Sequence, residues 1–300
     1  MLSLPSRLVP GYLRITRTNR MYTSSDEARR HIERRRIRPR RVGPPRLLRS
    51  DVSVTVDHAL GWPVYTLTPT NGQPRGGVVY VHGGGWVNQM AWQHWQLAAQ
   101  IAAEGGMSVA VPIYPLIPLG TAEQVVPAVA DLVRTCTARY GSVGLAGDSA
   151  GGQIALSAAI LLRDHQHTVP RTVLISPALD LSVANPEIDR VQPSDPWLGR
   201  AGIRVFVEHW RGTMPVGDPR VSPLGADLKG LGPITIFSGT RDILNPDARL
   251  LVDQARAAGV DLDYHEGRGL VHVYPLTPTP EGRAARALLI ERLRATQPAP

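Results

Sequence analysis

Three hundred residues, 43% of them hydrophobic, suffice for one large α/β domain with a sizeable buried core and exclude a disordered chain. The single cysteine, Cys136, excludes an intrachain disulfide, and no uninterrupted apolar run approaches the ~18–20 residues of a membrane-spanning helix. The net charge of +8 is concentrated at one end: residues 1–50 carry fourteen arginines against Asp26, Glu27 and Glu33, a local charge of +11 that leaves the remainder at −3.

In chain order, residues 1–48 read as polar helices, with Leu8, Tyr12 and Ile15 at amphipathic spacing, ending in the breaker run from Arg38 to Pro45. The basic stretch from Arg29 to Arg41 has the charge to attract nucleic acid or an anionic membrane surface. It lacks interleaved aromatics and any nucleic-acid module, and Lys229 is the only lysine, so arginine serves as the general cation of the chain. A solvated helix face is the preferred reading, and no nucleic-acid partner is expected. The first twenty residues are acid-free but have neither the apolar core nor the cleavage site of a secretory signal. They read as mature protein, soluble and cytoplasmic.

Alternation at Asp51–Asp57 and Trp62–Thr68, across the turn at Leu60-Gly61, predicts an antiparallel strand pair. A buried strand from Val78 to Val81 then runs into three consecutive glycines. Next come a helix over Asn88–Glu104, a strand at Met107–Pro112, a proline-rich loop, a helix over Ala122–Tyr140 and a strand from Val143. Strands at Val173–Ser176, Ile234–Ser238 and Val260–His265 and helices at Leu250–Ala258 and Glu281–Arg294 complete the pattern, which implies a mostly parallel sheet. Between Pro177 and Gly232 there is no strong strand, only a helical Ile203–Trp210. Long insertions at strand ends usually serve a site, and this one is expected to pack with the N-terminal helices as a lid.

Two stretches carry chemistry. Gly147-Asp148-Ser149-Ala150-Gly151 has the G-x-S-x-G form between a strand and a helix, a strained turn that pushes the serine hydroxyl clear of the sheet. Upstream, His82-Gly83-Gly84-Gly85-Trp86 ends a buried strand in bare backbone N–H groups that can face a developing negative charge. A serine hydroxyl needs a base, and the base needs an orienting group. Asp242, after the Phe237 strand, and His272, in the stretch after the last strand, follow Ser149 in the order such a turn requires. His265 and Asp247 compete for the same roles. His265, however, belongs to a strand and swings less freely, and Asp247 falls past Pro246, where an acid has a structural use at a helix start. Cys136 reads as a small core residue. No histidines show paired ligand spacing, so neither a metal nor a cofactor is expected.

Taken together, the two glycine-rich motifs resemble the hormone-sensitive-lipase-like branch of the α/β-hydrolases, a group of carboxylesterases, over roughly Val78 to His272. The resemblance implies an α/β-hydrolase fold: a mostly parallel central sheet flanked by helices, with a helical cap. It divides the chain into cap helices at 1–48, a core at 49–180 and 226–300, and a cap insertion at 181–225. It also implies an oxyanion hole from the N–H groups of Gly83, Gly84 and Ala150, with His82 and Gly85 supporting the loop. The implied activity is hydrolysis of short- to medium-chain esters through an acyl-enzyme on Ser149. Trp86, Trp92, Trp197, Phe206 and Trp210 are read either as substrate lining or as cap core. Relatives often carry Asp-Tyr-Arg-Leu-Ala-Pro-Glu where this chain has Ile113-Tyr114-Pro115-Leu116-Ile117-Pro118-Leu119, which replaces a charged pair by an apolar loop. An amidase or N-deacetylase and a non-catalytic small-molecule receptor are the alternative functions, and a homodimer is left open.

Overall fold

Apolar runs too short for helices become the strands of one eight-stranded sheet: β1 (Val52–Asp57), β2 (Val64–Pro69), β3 (Gly77–Val81), β4 (Ser108–Pro112), β5 (Val143–Asp148), β6 (Thr172–Ile175), β7 (Ile234–Arg241) and β8 (Leu262–Val271). Their order is β1-β2-β4-β3-β5-β6-β7-β8. β2 is antiparallel to β1 and β4, and every other pairing is parallel. The computed structural model describes residues 2–296 apart from 40–42, 47 and 59. The described helices are α1 (Leu4–Ile15), α2 (Arg20–Thr23), α3 (Ser25–Ile37), α4 (Trp92–Gly105), α5 (Ala122–Tyr140), α6 (Ala150–Asp164), α7 (Ile188–Val191), α8 (Arg200–Arg211), α9 (Asn245–Ala257) and α10 (Pro280–Arg294).

Strands β3 to β6 are buried along their whole length, because helices cover both faces of the sheet. Alternate side chains of β3 enter different cores. Val79 and Val81 join the layer under α5, α6 and α9, whereas Val78 and Tyr80 join that under α4 and α10. None of the described helices is long and apolar enough to cross a membrane.

Three elements differ from the expected bounds. α4 begins at Trp92 rather than Asn88, since the N–H groups of Val87 and Asn88 both turn back to the Gly84 carbonyl. α9 begins at Asn245, well before Leu250, with Pro246 in the first turn, where the missing N–H is tolerated. β8 runs on past His265 to Val271. Gly239 and Gly267 face one another there, and a bulge between Gly239 and Arg241 keeps the two strands paired.

The N-terminal helices divide between two places. α2 and α3 pack against α8, but α1 lies against α10 and β8, where the Ser3 and Ser6 hydroxyls both donate to Glu281 Oε2 at 2.6 Å. The described N-terminal helices therefore do not form one unit. α3 is not solvated all round either. Ala28 and Ile32, one turn apart, are buried, and an Arg35 guanidinium N–H donates to Asn88 Oδ1 at 3.2 Å. Arg29, Arg30 and Arg36 pair with acids one turn away and Arg34 with Glu27 two turns away, in largely exposed contacts that contribute little. Arg40 and Arg41 lie outside the described residues.

Packing rather than charge should hold α3 in place. Ile32→Ala is expected to destabilise the protein by about 2–4 kcal/mol in urea unfolding. A change near zero would mean that α3 is not docked.

Candidate active site

Strand β5 delivers Asp148 buried, and the chain then turns at Ser149 with φ 53° and ψ −118° into α6. Such a backbone costs a non-glycine residue about 1–3 kcal/mol. Surrounding bonds hold it: the Ser149 N–H donates to the Ile175 carbonyl at 2.8 Å, and its carbonyl accepts from the Gln153 and Ala178 N–H groups at 3.1 Å each. The glycines on either side are sterically required. A Cβ on Gly147 would stand 2.3 Å from the Gly151 carbonyl oxygen, and one on Gly151 would stand 2.1 Å from that of Val81.

His272 follows directly on β8, where the Val273 N–H donates to Ser176 Oγ at 3.0 Å. Its Nε2 lies 2.9 Å from Ser149 Oγ, and its Nδ1 lies 2.8 Å from Asp242 Oδ2. Asp242 is fully buried, and its Oδ1 is occupied by the Leu244 N–H at 2.9 Å, which leaves Oδ2 for the imidazole. An ionised Asp242 can only accept, so the ring proton belongs on Nδ1, and Nε2 is free to accept from the serine. The competing residues lie elsewhere. His265 is within β8, stacked on Phe237, while Asp247 accepts from Asn185 Nδ2 at 2.8 Å, and burial pushes it up to about 6.

A third carboxylate stands behind this pair. Asp195 accepts from the N–H groups of Trp197 and Leu198 through Oδ1, and from the Ile243 N–H, next to Asp242, through Oδ2 at 2.9 Å. Burial, reinforced by the Asp242 charge, pushes Asp195 up to about 6. Burial opposes the imidazolium form of His272, yet Asp242, with Asp195 and Asp148 further away, outweighs it, and the His272 pKa lies above its ordinary value.

The glycine turn departs from expectation at one residue. The Gly83 N–H donates to Asp148 Oδ1 at 2.9 Å, so it is already committed and is not available to an oxyanion. A Cβ there would meet the same carboxylate at 2.2 Å. Instead, the N–H groups of Gly84, Gly85 and Ala150 find no acceptor among the described residues. Gly84 and Gly85 have φ of +122° and +63°, and Ala150, as the first residue of α6, has an N–H without a helical partner. Asp148 also accepts from the Tyr80 hydroxyl at 2.6 Å and from His94 Nε2 at 3.2 Å. The Ala91 N–H donates to His94 Nδ1, which puts the proton on Nε2. Burial raises the Asp148 pKa, but His94, Tyr80 and Gly83 more than offset it and hold the carboxyl below its usual range.

His82 Nδ1 donates to the Gly83 carbonyl at 2.7 Å, and its ring stacks on Tyr114, whose hydroxyl donates to the His82 carbonyl at 2.8 Å. Burial, with the nearby His94, drives His82 down to about 4 and keeps it neutral. The apolar loop after β4 thus braces the turn through Tyr114 and through the Ile117 N–H on the Trp86 carbonyl, without the charged pair.

A cleft opens beside Ser149, walled by Tyr22, Gly85, Trp86, Ala150, Leu198 and Phe206. Trp86 and Phe206 therefore line it, as does Gly85. Trp210 does not, because it is fully buried behind Trp86, stacked at 5.6 Å. Both indole N–H groups donate to Gln153 Oε1, at 3.2 and 2.9 Å. Trp197 stands edge-on to His272 at 5.6 Å, and Trp92 is half exposed at the start of α4. Sequence reasoning missed Tyr22, His94, Gln153 and Asp195. Only Gln153 carried a visible signal, as a long polar side chain within the mostly apolar run of α6. Among the described residues no group of three or more His, Cys, Asp or Glu is placed to hold a metal ion.

A mostly parallel sheet bearing a strained serine at a strand-to-helix turn defines an α/β-hydrolase of the esterase and lipase type. The model of the family described as alpha/beta hydrolase fold matches residues 78–276. A triacylglycerol lipase of Mycobacterium tuberculosis is 36% identical over 228 residues, covering 74% of this chain, and the chain spans only 47% of that protein. An acetyl-hydrolase of Streptomyces hygroscopicus is 30% identical over 216 residues, 69% of this chain and 72% of its own. The crystal structure of an esterase from the bacterial hormone-sensitive lipase (HSL) family superposes with a TM-score of 0.78 at 27% identity, over 91% of this chain and 97% of the other. The chain belongs to the α/β-hydrolase family, in its hormone-sensitive-lipase-like branch.

Gln153 satisfies two buried indoles at once. Gln153→Leu is expected to cost about 2–6 kcal/mol of stability, because it orphans two indole donors at about 1–3 kcal/mol each. Denaturant unfolding followed by tryptophan fluorescence would detect it, and an unchanged midpoint would refute it.

Proposed function

We propose that this chain is a serine carboxylesterase that hydrolyses short- to medium-chain esters through an acyl-enzyme on Ser149. The observation that carries the reading is the hydrogen-bonded line from Ser149 Oγ through His272 to Asp242, with links of 2.9 and 2.8 Å. In the proposed mechanism His272 Nε2 takes the Ser149 proton as Oγ attacks the ester carbonyl. Asp242 holds the imidazole and balances its charge. The oxyanion is received by Gly84, Gly85 and Ala150, each donor contributing about 2.7–4 kcal/mol in the transition state. His272 then protonates the leaving alcohol, and water repeats the sequence on the acyl-enzyme. Asp195 acts as a positioning residue, fastening the Asp242 loop to the inserted segment.

In this reading α2, α3 and α8 form a cap, with Tyr22 and Phe206 as its contribution to the acyl wall. Relatives named triacylglycerol lipase and esterase support ester chemistry, and one named acetyl-hydrolase supports removal of a short acyl group. The apolar cleft favours an uncharged acyl group of modest size.

A p-nitrophenyl ester series from acetate to palmitate should give activity that peaks at short chains and falls by about 10⁴-fold or more in Ser149→Ala. A folded wild type inactive across the series would sink the proposal, and preference for a matched anilide would move it to an amidase. The acid limb of kcat/KM reports the neutral fraction of His272. Because the His272 pKa is raised, the neutral base appears only at higher pH, and the midpoint should lie above 6.5. Asp195→Asn removes one of the supporting charges and should move that midpoint to lower pH. A midpoint unmoved in the variant would exclude electrostatic coupling.

A further inference from the structure

α1 is apolar on two opposite faces, and only one of them is used. Ser6, Pro10 and Leu13 face the protein, whereas Leu4, Leu8, Tyr12 and Ile15 are 67%, 62%, 66% and 82% exposed. At 3.6 residues per turn these four fall within an arc of about 80°. Arg7 and Arg14, seven residues apart and both exposed, line one edge of the stripe, and α1 contains no acid. The helix is not a loose end. Glu281, at the start of α10, accepts from the Ser3 N–H and from both serine hydroxyls, each at 2.6 Å, and Leu2 reaches Gly269 in β8, the strand directly before His272.

We propose that α1 docks this protein on an anionic lipid surface. Four large apolar side chains on a fixed helix with a cationic edge match the interface between acyl chains and anionic headgroups. Arg17 and Arg20, both exposed, follow α1 directly, and no acid precedes Asp26, so the charge at this helix has one sign. A second copy is the poorer occupant, because a two-fold contact through the stripe would set the arginine edges together without an intervening acid on α1. The inference stands on α1 alone. Combined with the proposed esterase activity, it points to esters carried in or delivered from a lipid phase.

The test is cosedimentation of the full chain, without substrate, with phosphatidylglycerol–phosphatidylcholine vesicles and with phosphatidylcholine vesicles. The wild type should bind the anionic vesicles, less so as salt rises, and bind the neutral ones weakly. Leu8→Glu/Ile15→Glu should reduce that binding about tenfold or more. Arg7→Gln/Arg14→Gln should weaken it and flatten the salt dependence. Hydrolysis of soluble p-nitrophenyl butyrate should be the same in all variants, which also checks folding. Absence of vesicle binding, or binding unaffected by the Leu8/Ile15 variant, would overturn the proposal. So would a dimer that this variant dissolves without any vesicle binding. Inactivity of the wild type on the soluble ester would overturn the esterase reading and leave the vesicle result standing.

Discussion

The carboxylate of Asp148 is buried where four elements meet: the end of β5, Tyr80 of β3, the glycine turn and His94 of α4. A buried charge without partners is prohibitively costly, and this one is held by three donors. Two consequences follow from geometry. The neighbouring ends of β3 and β5 are tied at a fixed separation, so the serine turn and the glycine turn form one rigid piece. The Gly83 N–H is consumed in the tie, and the next free donors along the turn are those of Gly84 and Gly85. The anion beside Ser149 thus decides which backbone groups face the cleft.

Polar links also join the segments outside the sheet to this piece. Asn88 donates to the Gly84 carbonyl from both its backbone and its side chain, and its Oδ1 meets His31 and Arg35 of α3. Gln153 joins Trp86 of the turn to Trp210 of α8 and to the Arg220 carbonyl. Asp195 joins the segment before α8 to the loop of Asp242. Each link is buried or half-buried and multiply bonded, which is the condition under which polar contacts rigidify a site rather than weaken it. The apolar loop after β4 explains how the family charge pair can be absent, since Tyr114 and Ile117 brace the turn by stacking and backbone contact.

What could be read from the sequence was what local sterics dictate. Gly147 and Gly151 must be small because backbone passes within 2.3 Å of where their Cβ atoms would lie, and that requirement leaves a legible pattern. Sheet class and strand sequence were legible for the same reason, being set by short apolar runs. Ser149, Asp242 and His272 were named from strand order and turn composition, and the structure brings all three within hydrogen-bonding distance. Gly83 was misassigned because its role depends on a carboxylate 65 residues away, whose direction no local pattern records. Trp210 reads like Trp86 in sequence, and only stacking distinguishes the wall from what supports it. The end of β8 was hidden because glycines that usually mark a loop here let two strands pass closely.

Asp242, Asp195 and Asp148 all contribute negative potential at one imidazole, and their combined effect exceeds the burial penalty on its charged form. On the proposed mechanism this surplus is useful only when His272 becomes positive, which happens as the oxyanion forms. The backbone donors then receive the opposite charge a few ångströms away, so the separated charges arise in an environment already polarised for both. The same arrangement has a cost in the resting state, because carboxylates that stabilise the cation also hold the proton on His272 to higher pH. Asp195 adds to that cost: with its own pKa near 6, it still carries charge over the range above 6.5 in which His272 gives up its proton. The proton affinity of the imidazole is therefore set by the carboxylates around it as well as by its own burial.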